Sequence, residues 1–298
     1  MNRLVKTMSL VLVGLILATV PSYTEPIRVL ATTTIIGDVV GMIGADDIEL
    51  SVLLPVNADP HGFEPTPKDI AAISDAEVVF INGGGLELGL QPFLEAAEGE
   101  VVSLSDFIPL RRLEADTEGE WFDPHVWFDP ENVMTWSAVI ARTLGELDPE
   151  NRAGYEERAA GYRAELEELD SWIVEQVEKI PEEKRRLVTD HAAFGYFADR
   201  YGFEQVGTVF PGFSTLSDPS AREIAELEDK IRSLSVPAIF VGTTVNPSLA
   251  ERIASDTGTK VVSLYTGSLS GPDGPAGSYI EMMRYDVAKI VDALSGEE

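Results

Sequence analysis

Residues 149–180 read PENRAGYEERAAGYRAELEELDSWIVEQVEKI. No proline interrupts the run between Pro149 and Pro181, and Glu, Ala, Leu and Arg dominate it. Leu166, Leu169, Ile173, Val177 and Ile180 recur at three- and four-residue spacing, which places them on one stripe of an α-helix. At 1.5 Å rise per residue such a helix spans about 45 Å, the scale of a whole domain. Asp148 before Pro149 supplies a side-chain cap and a proline at the first helical position. A helix of this length acts as a stiff strut, so the parts it joins are expected to move little relative to each other.

On both sides of the strut the pattern alternates. Short β-branched runs at Ile27–Thr32, Ile48–Leu54, Glu77–Ile81 and Val101–Leu104 precede it, and Arg186–Thr189, Val206–Phe210, Ala238–Val241 and Lys260–Leu264 follow it. Amphipathic segments lie between them, among them Ile35–Ile43 and Leu88–Ala97. Thr66-Pro67, Asp129-Pro130, Asp218-Pro219 and Asn246-Pro247 repeat the capping device of Asp148-Pro149. Alternation of this kind implies parallel sheets covered by helices on both faces. The expected fold is α/β, with two lobes, each a parallel β-sheet flanked by helices, joined by one long rigid backbone helix. The expected divisions are a signal peptide over 1–24, an N-terminal lobe over 25–147, the linking helix over 148–181 and a C-terminal lobe over 182–298. Gly83-Gly84-Gly85 fits neither G-x-G-x-x-G nor the Walker pattern and reads as a tight turn.

The 298 residues are 44% hydrophobic and 24% charged, ordinary globular values, but 22 Lys and Arg stand against 51 Asp and Glu for a net charge of −29. Such a chain lacks the basic footprint that nucleic-acid binding requires, and anionic membranes repel it. Cations are drawn to it, although solubility or adaptation to salt accounts for the same excess. At the N-terminus Arg3 and Lys6 precede an apolar run from Met8 to Val20, then Pro21, Ser22 and Thr24. This reads as a secretory signal; the run is too short for a membrane span of about 20 residues. There is no cysteine. We therefore expect an exported, periplasmic or extracytoplasmic protein, without disulfides and not anchored by a lipidated cysteine, whose metal ligands must come from His, Asp or Glu.

The chain has three histidines, His61, His125 and His191. His61 follows a strand and precedes a capped helix in LLPVNADPHGFEPTPKDI, and His125 precedes another in EWFDPHVWFDPEN. His191, in RRLVTDHAAFGYFADRYGF, follows a strand directly, with Asp190 placed to cap a helix that His191 opens. Loops at the carboxyl ends of strands are where ligands gather in open α/β sheets. The three are either unrelated or share one metal site; no short motif such as H-E-x-x-H decides between these.

Four stretches in order, DPHGFEPTPKDIAAI (59–73), DPHVWFDPEN (123–132), VTDHAAFGYFADRYGF (188–203) and SLYTGSLSGPDGPAGSYIEMMRYD (263–286), resemble the metal-binding solute receptors of zinc and manganese ABC importers. The resemblance covers about residues 27–294. It implies a two-lobed receptor, likewise joined by a rigid helix, that captures a divalent transition metal between the lobes and delivers it to a membrane ABC permease, working as a monomer. It implies His61, His125 and His191 as ligands. The fourth ligand of that family is commonly an aspartate in an L-Y-x-D-S-L loop, where this chain has Gly267. Water, Asp273, Asp59 or Glu64 could take its place. Three imidazoles without an assured carboxylate point to Zn²⁺, with Mn²⁺, which favours oxygen ligands, as the alternative. Asp190 and Asp123 are placed to fix ring tautomers. The loop 114–123, EADTEGEWFD, is short, acidic and free of histidine, and reads as a solvated linker. A zinc hydrolase would also use three histidines and a water, but no general base or substrate pocket is marked. A surface adhesin is the remaining alternative.

Overall fold

The computed structural model describes residues 25–112 and 122–296. The signal peptide expected over 1–24 and most of the acidic loop expected over 114–123 lie outside the described residues.

Four parallel strands, β1 (Ile27–Ala31), β2 (Ile48–Val52), β3 (Val78–Ile81) and β4 (Glu100–Ser103), form one sheet in the order β2-β1-β3-β4. A second sheet of β5 (Arg186–Thr189), β6 (Glu204–Thr208), β7 (Ala238–Gly242) and β8 (Lys260–Leu264) repeats that order as β6-β5-β7-β8, again parallel throughout. The central strands are apolar on both faces, as in AIFVG of β7, because helices cover both sides. In each sheet the strand order reverses between the first and third strands, which opens a crevice at the carboxyl ends.

The helices are α1 (Thr34–Gly44), α2 (Pro67–Asp75), the single-turn α3 (Gln91–Leu94), α4 (Pro130–Leu147), α5 (Arg152–Val177), α6 (Gly195–Tyr201), α7 (Ala221–Leu234), α8 (Ser248–Thr257) and α9 (Tyr279–Ser295). The capping signals at Thr66 and Asp129 act as read: Thr66 builds a full capping box with Asp69, and Asp129 accepts from the Glu131 N–H. Others shift. The long helix begins at Arg152 rather than Pro149, because Asp148 ends α4 and turns its carboxylate to Asn151 and the Tyr155 hydroxyl. Its 26 residues span about 40 Å. Ser220, not Asp218, caps α7, and Asn246 caps the Ser248 N–H from one residue farther back. The segment expected as a helix over Leu88–Ala97 is a 3₁₀ turn followed by α3.

α5 packs along α4 and also touches α1 and α9. The largest apolar cluster runs through it from Val29 and Phe80 of the first sheet to Leu187 and Phe240 of the second, so both sheets share one core. Smaller clusters cover the outer face of each sheet. The C-terminal helix locks this arrangement. The Tyr279 N–H donates to Asp38 of α1 at 2.8 Å, and its hydroxyl donates to the Trp127 carbonyl at 2.7 Å. Leu166, fully buried in the middle of α5, sits in that shared core. Leu166→Ala is expected to destabilise the whole chain by about 2–5 kcal/mol in urea denaturation. Both sheets should be lost in one transition.

Candidate metal centre

Each histidine is carried by a loop at the carboxyl end of a strand. His61 lies beyond β2, where Leu53 and Leu54 still bond to β1 and the following residue. The Asp59 carboxylate accepts the His61 N–H at 3.0 Å and turns the chain toward α2. His125 lies beyond β4 in a 3₁₀ turn that ends at the Asp129 cap of α4. Its loop is held from below by Asn82, whose side-chain amide donates to the Pro124 carbonyl at 2.9 Å. The buried Glu87 in turn accepts the N–H groups of Asn82 and Gly83, and Gly83, Gly84 and Gly85 all take positive φ, the tight turn read from the sequence. His191 follows β5 beside β7. Asp190 does not cap a helix there, since α6 starts only at Gly195; its Oδ1 accepts both the N–H and the Nδ1–H of His191, and its Oδ2 accepts the Gly242 N–H at 2.7 Å.

These loops bring the three rings together. Nε2 of His125 lies 3.2 Å from Nε2 of His61 and 3.0 Å from Nε2 of His191. One ligand atom from each of the three falls within 4.8 Å of the others. His125 and His191 are buried and His61 is half-buried. The Nδ1 atoms face carboxylates, Asp123 at 2.9 Å and Asp190 at 2.8 Å. A ring that donates Nδ1–H to a carboxylate presents a bare lone pair at Nε2. Lone pairs 3 Å apart in a buried site repel, and a shared proton or a cation relieves that repulsion.

The titration pattern agrees. Burial pushes His61 down to about 3, with the charges of His125 and His191 adding to it. Burial and the neighbouring His191 hold His125 well below the ordinary 6.5. For His191 burial pulls downward too, but the charge and hydrogen bond of Asp190, with Asp59 and Asp123 behind them, carry the ring above its ordinary value. Of the three rings His191 is therefore the one that keeps a proton to the highest pH. Burial pushes Asp123 up to about 7 against the pull of the His125 N–H and the Arg111 guanidinium.

The small pocket at the rings is lined by Asp59, Trp127, Thr244, Thr266 and Gly267 as well as by Pro60 and the histidines. Among the candidates for a fourth ligand, Glu64 and Asp273 are exposed and do not line it. Asp59 does line it, with one oxygen on the His61 N–H and the other accepting from the Thr215 hydroxyl. A Cβ at Gly267 would lie 3.0 Å from the Pro60 ring, so glycine lets this loop approach the His61 loop closely. Thr215, Thr244 and Phe213, whose ring faces His125, were not legible as site residues, because they lie in loops without a metal-ligand pattern. Trp127, two residues from His125, and Thr266, beside Gly267, are neighbours that proximity could have flagged.

The sequence matches the family model described as zinc-uptake complex component A, periplasmic, over residues 29–293. It is 35% identical to the manganese-binding lipoprotein MntA of Halalkalibacterium halodurans, over 91% of this chain and 89% of that protein. It is 31% identical to the iron ABC transporter substrate-binding lipoprotein MtsA of Streptococcus pyogenes, over 91% and 90% respectively. Among solved structures, the periplasmic zinc-binding protein TroA from Treponema pallidum superposes with a TM-score of 0.85 at 29% identity, covering 90% of this chain and 99% of that one. Fold, motif order and full-length similarity agree: the chain belongs to the zinc-uptake component A family, metal-binding receptors that serve membrane ABC importers and are not enzymes.

Proposed function

We propose that this chain captures Zn²⁺ through Nε2 of His61, His125 and His191 and delivers it to its permease. The observation that carries this reading is the convergence of three Nε2 atoms, with Nδ1 of His125 and His191 already committed to buried carboxylates. Such rings are oriented before the cation arrives and exchange hydration water for nitrogen ligands. Half-exposed His61 is the entry ligand, and the two buried rings complete the site. No carboxylate joins the three rings within ligand distance among the described residues, and a nitrogen-rich set suits zinc. A water molecule fills the fourth position.

Names among the relatives span manganese, iron and zinc, so the donor set rather than the kinship supports the choice. One observation favours manganese as a second reading: the Asp59 carboxylate lines the pocket, and release from Thr215 would turn it into an oxygen ligand. MntA and MtsA are named as lipoproteins and TroA as a periplasmic protein, whereas this sequence contains no cysteine to carry a lipid. On that kinship we place the receptor outside the cytoplasm.

Competition decides the cargo. With the metal-stripped protein loaded with Mn²⁺, equimolar Zn²⁺ is expected to displace it almost completely, read as free Mn²⁺ by electron paramagnetic resonance. Retention of Mn²⁺ against zinc would overturn the zinc assignment and put Asp59 in the coordination sphere.

A further inference from the structure

Behind His125 the chain builds a clamp that metal coordination itself does not use. Asp123 is completely buried and spends Oδ1 on His125, accepting its N–H and facing its Nδ1. Its other oxygen, Oδ2, accepts from Nη1 of Arg111 at 2.9 Å. The same guanidinium reaches outward to Asp199, with Nε donating to Oδ2 at 2.6 Å. The Arg111 backbone N–H donates to the Tyr196 hydroxyl at 3.0 Å, and that hydroxyl donates to the Asp123 carbonyl at 3.1 Å.

Tyr196 and Asp199 belong to α6, which begins four residues beyond His191. Arg111 thus ties the residue two before His125 to the helix into which the His191 loop runs. Gly195, the first residue of α6, makes this possible, since a Cβ there would overlap Arg111 Nη1 and Asp123 Oδ2. The arrangement is a fork serving two carboxylates, one of them wholly buried, so removing the cation leaves a buried carboxylate without its charge partner.

We propose that Arg111 is a positioning residue for metal capture: by clamping Asp123 to α6 it fixes the direction of His125 and its separation from His191, and so prolongs the residence of a bound divalent metal. This rests on the histidine triad being the metal site. Nothing in the motifs around the histidines points to residue 111; the link exists only in three dimensions.

The test is a chelator chase of Zn²⁺ at pH 7.5, with affinity measured in parallel, on the wild type, Arg111→Gln, Asp123→Asn and the double variant. Arg111→Gln is expected to release zinc about 10–100-fold faster, with association far less affected. Because Arg111 acts through Asp123, the double variant should lose no more than Asp123→Asn alone. Arg111→Lys keeps the charge without the fork and should recover part of the loss. It also carries the test should Arg111→Gln fail to fold. Wild-type release from Arg111→Gln, or from Arg111→Lys in that case, would overturn the proposal, as would losses that simply add in the double variant. Failure of the wild type to bind either zinc or manganese would instead remove the triad reading on which it stands.

Discussion

Replacing His125 by alanine lowers zinc affinity by at least about 100-fold. Its Nε2 is the atom that faces both other rings, at 3.2 and 3.0 Å, and the ring is 1% exposed, so water does not readily take its place in the same geometry. Zinc held by four ligands gains about 10–16 kcal/mol, or about 3 kcal/mol per ligand, which corresponds to about two decades in affinity. The substitution leaves Asp123 with the Arg111 guanidinium and the residue 125 N–H, so the loop keeps its anchors. Circular dichroism of the metal-free variant should therefore match the wild type while its zinc isotherm flattens. An unchanged isotherm would mean that the cation sits elsewhere.

The second large effect is on pH. Affinity for zinc is expected to fall by at least about tenfold between pH 7.5 and 5.5. The sign follows from where the proton sits. His191 is raised above 6.5 by Asp190, so below its pKa the free site carries a proton that the bound site does not. Each pH unit below that pKa then lowers the apparent affinity about tenfold, and above it the affinity is level. His61 and His125, held low by burial, add no further proton in this range. Calorimetry in two buffers of different ionisation heat should count about one proton released per zinc at pH 6. Asp190→Asn should move the onset to lower pH while weakening the plateau, because the same carboxylate sets both the charge and the tautomer of His191. A flat profile from pH 7.5 to 5.5 would show that His191 carries no competing proton.

Much of this molecule was legible from its sequence. The eight short β-branched runs became eight parallel strands; in the central ones, such as VVFI of β3 and AIFVG of β7, helices on both faces demand near-continuous apolar segments, whereas edge strands such as IELSV of β2 keep polar residues. The three histidines stood out because each follows a strand or precedes a capped helix, and the structure brings all three rings to one point. What failed were local competitions. Asp148-Pro149 carries a start signal, yet Asp148 found better partners in Asn151 and Tyr155 as the end of the preceding helix. Asp190 had the right type and place to cap a helix, but the His191 ring and the Gly242 N–H hold its carboxylate instead. Arg111, Thr215 and Thr244 were invisible for a different reason. Their roles depend on which loops meet across the two sheets, and that is decided by the shared core around α5 rather than by any pattern near the residues themselves.

The most direct test is calorimetric titration of the metal-stripped protein with Zn²⁺, for the wild type and for His191→Ala. One tight site per wild-type chain, lost in the variant, is the predicted result. Absence of a tight site in the wild type, or a site that survives His191→Ala unchanged, would contradict capture by the three histidines.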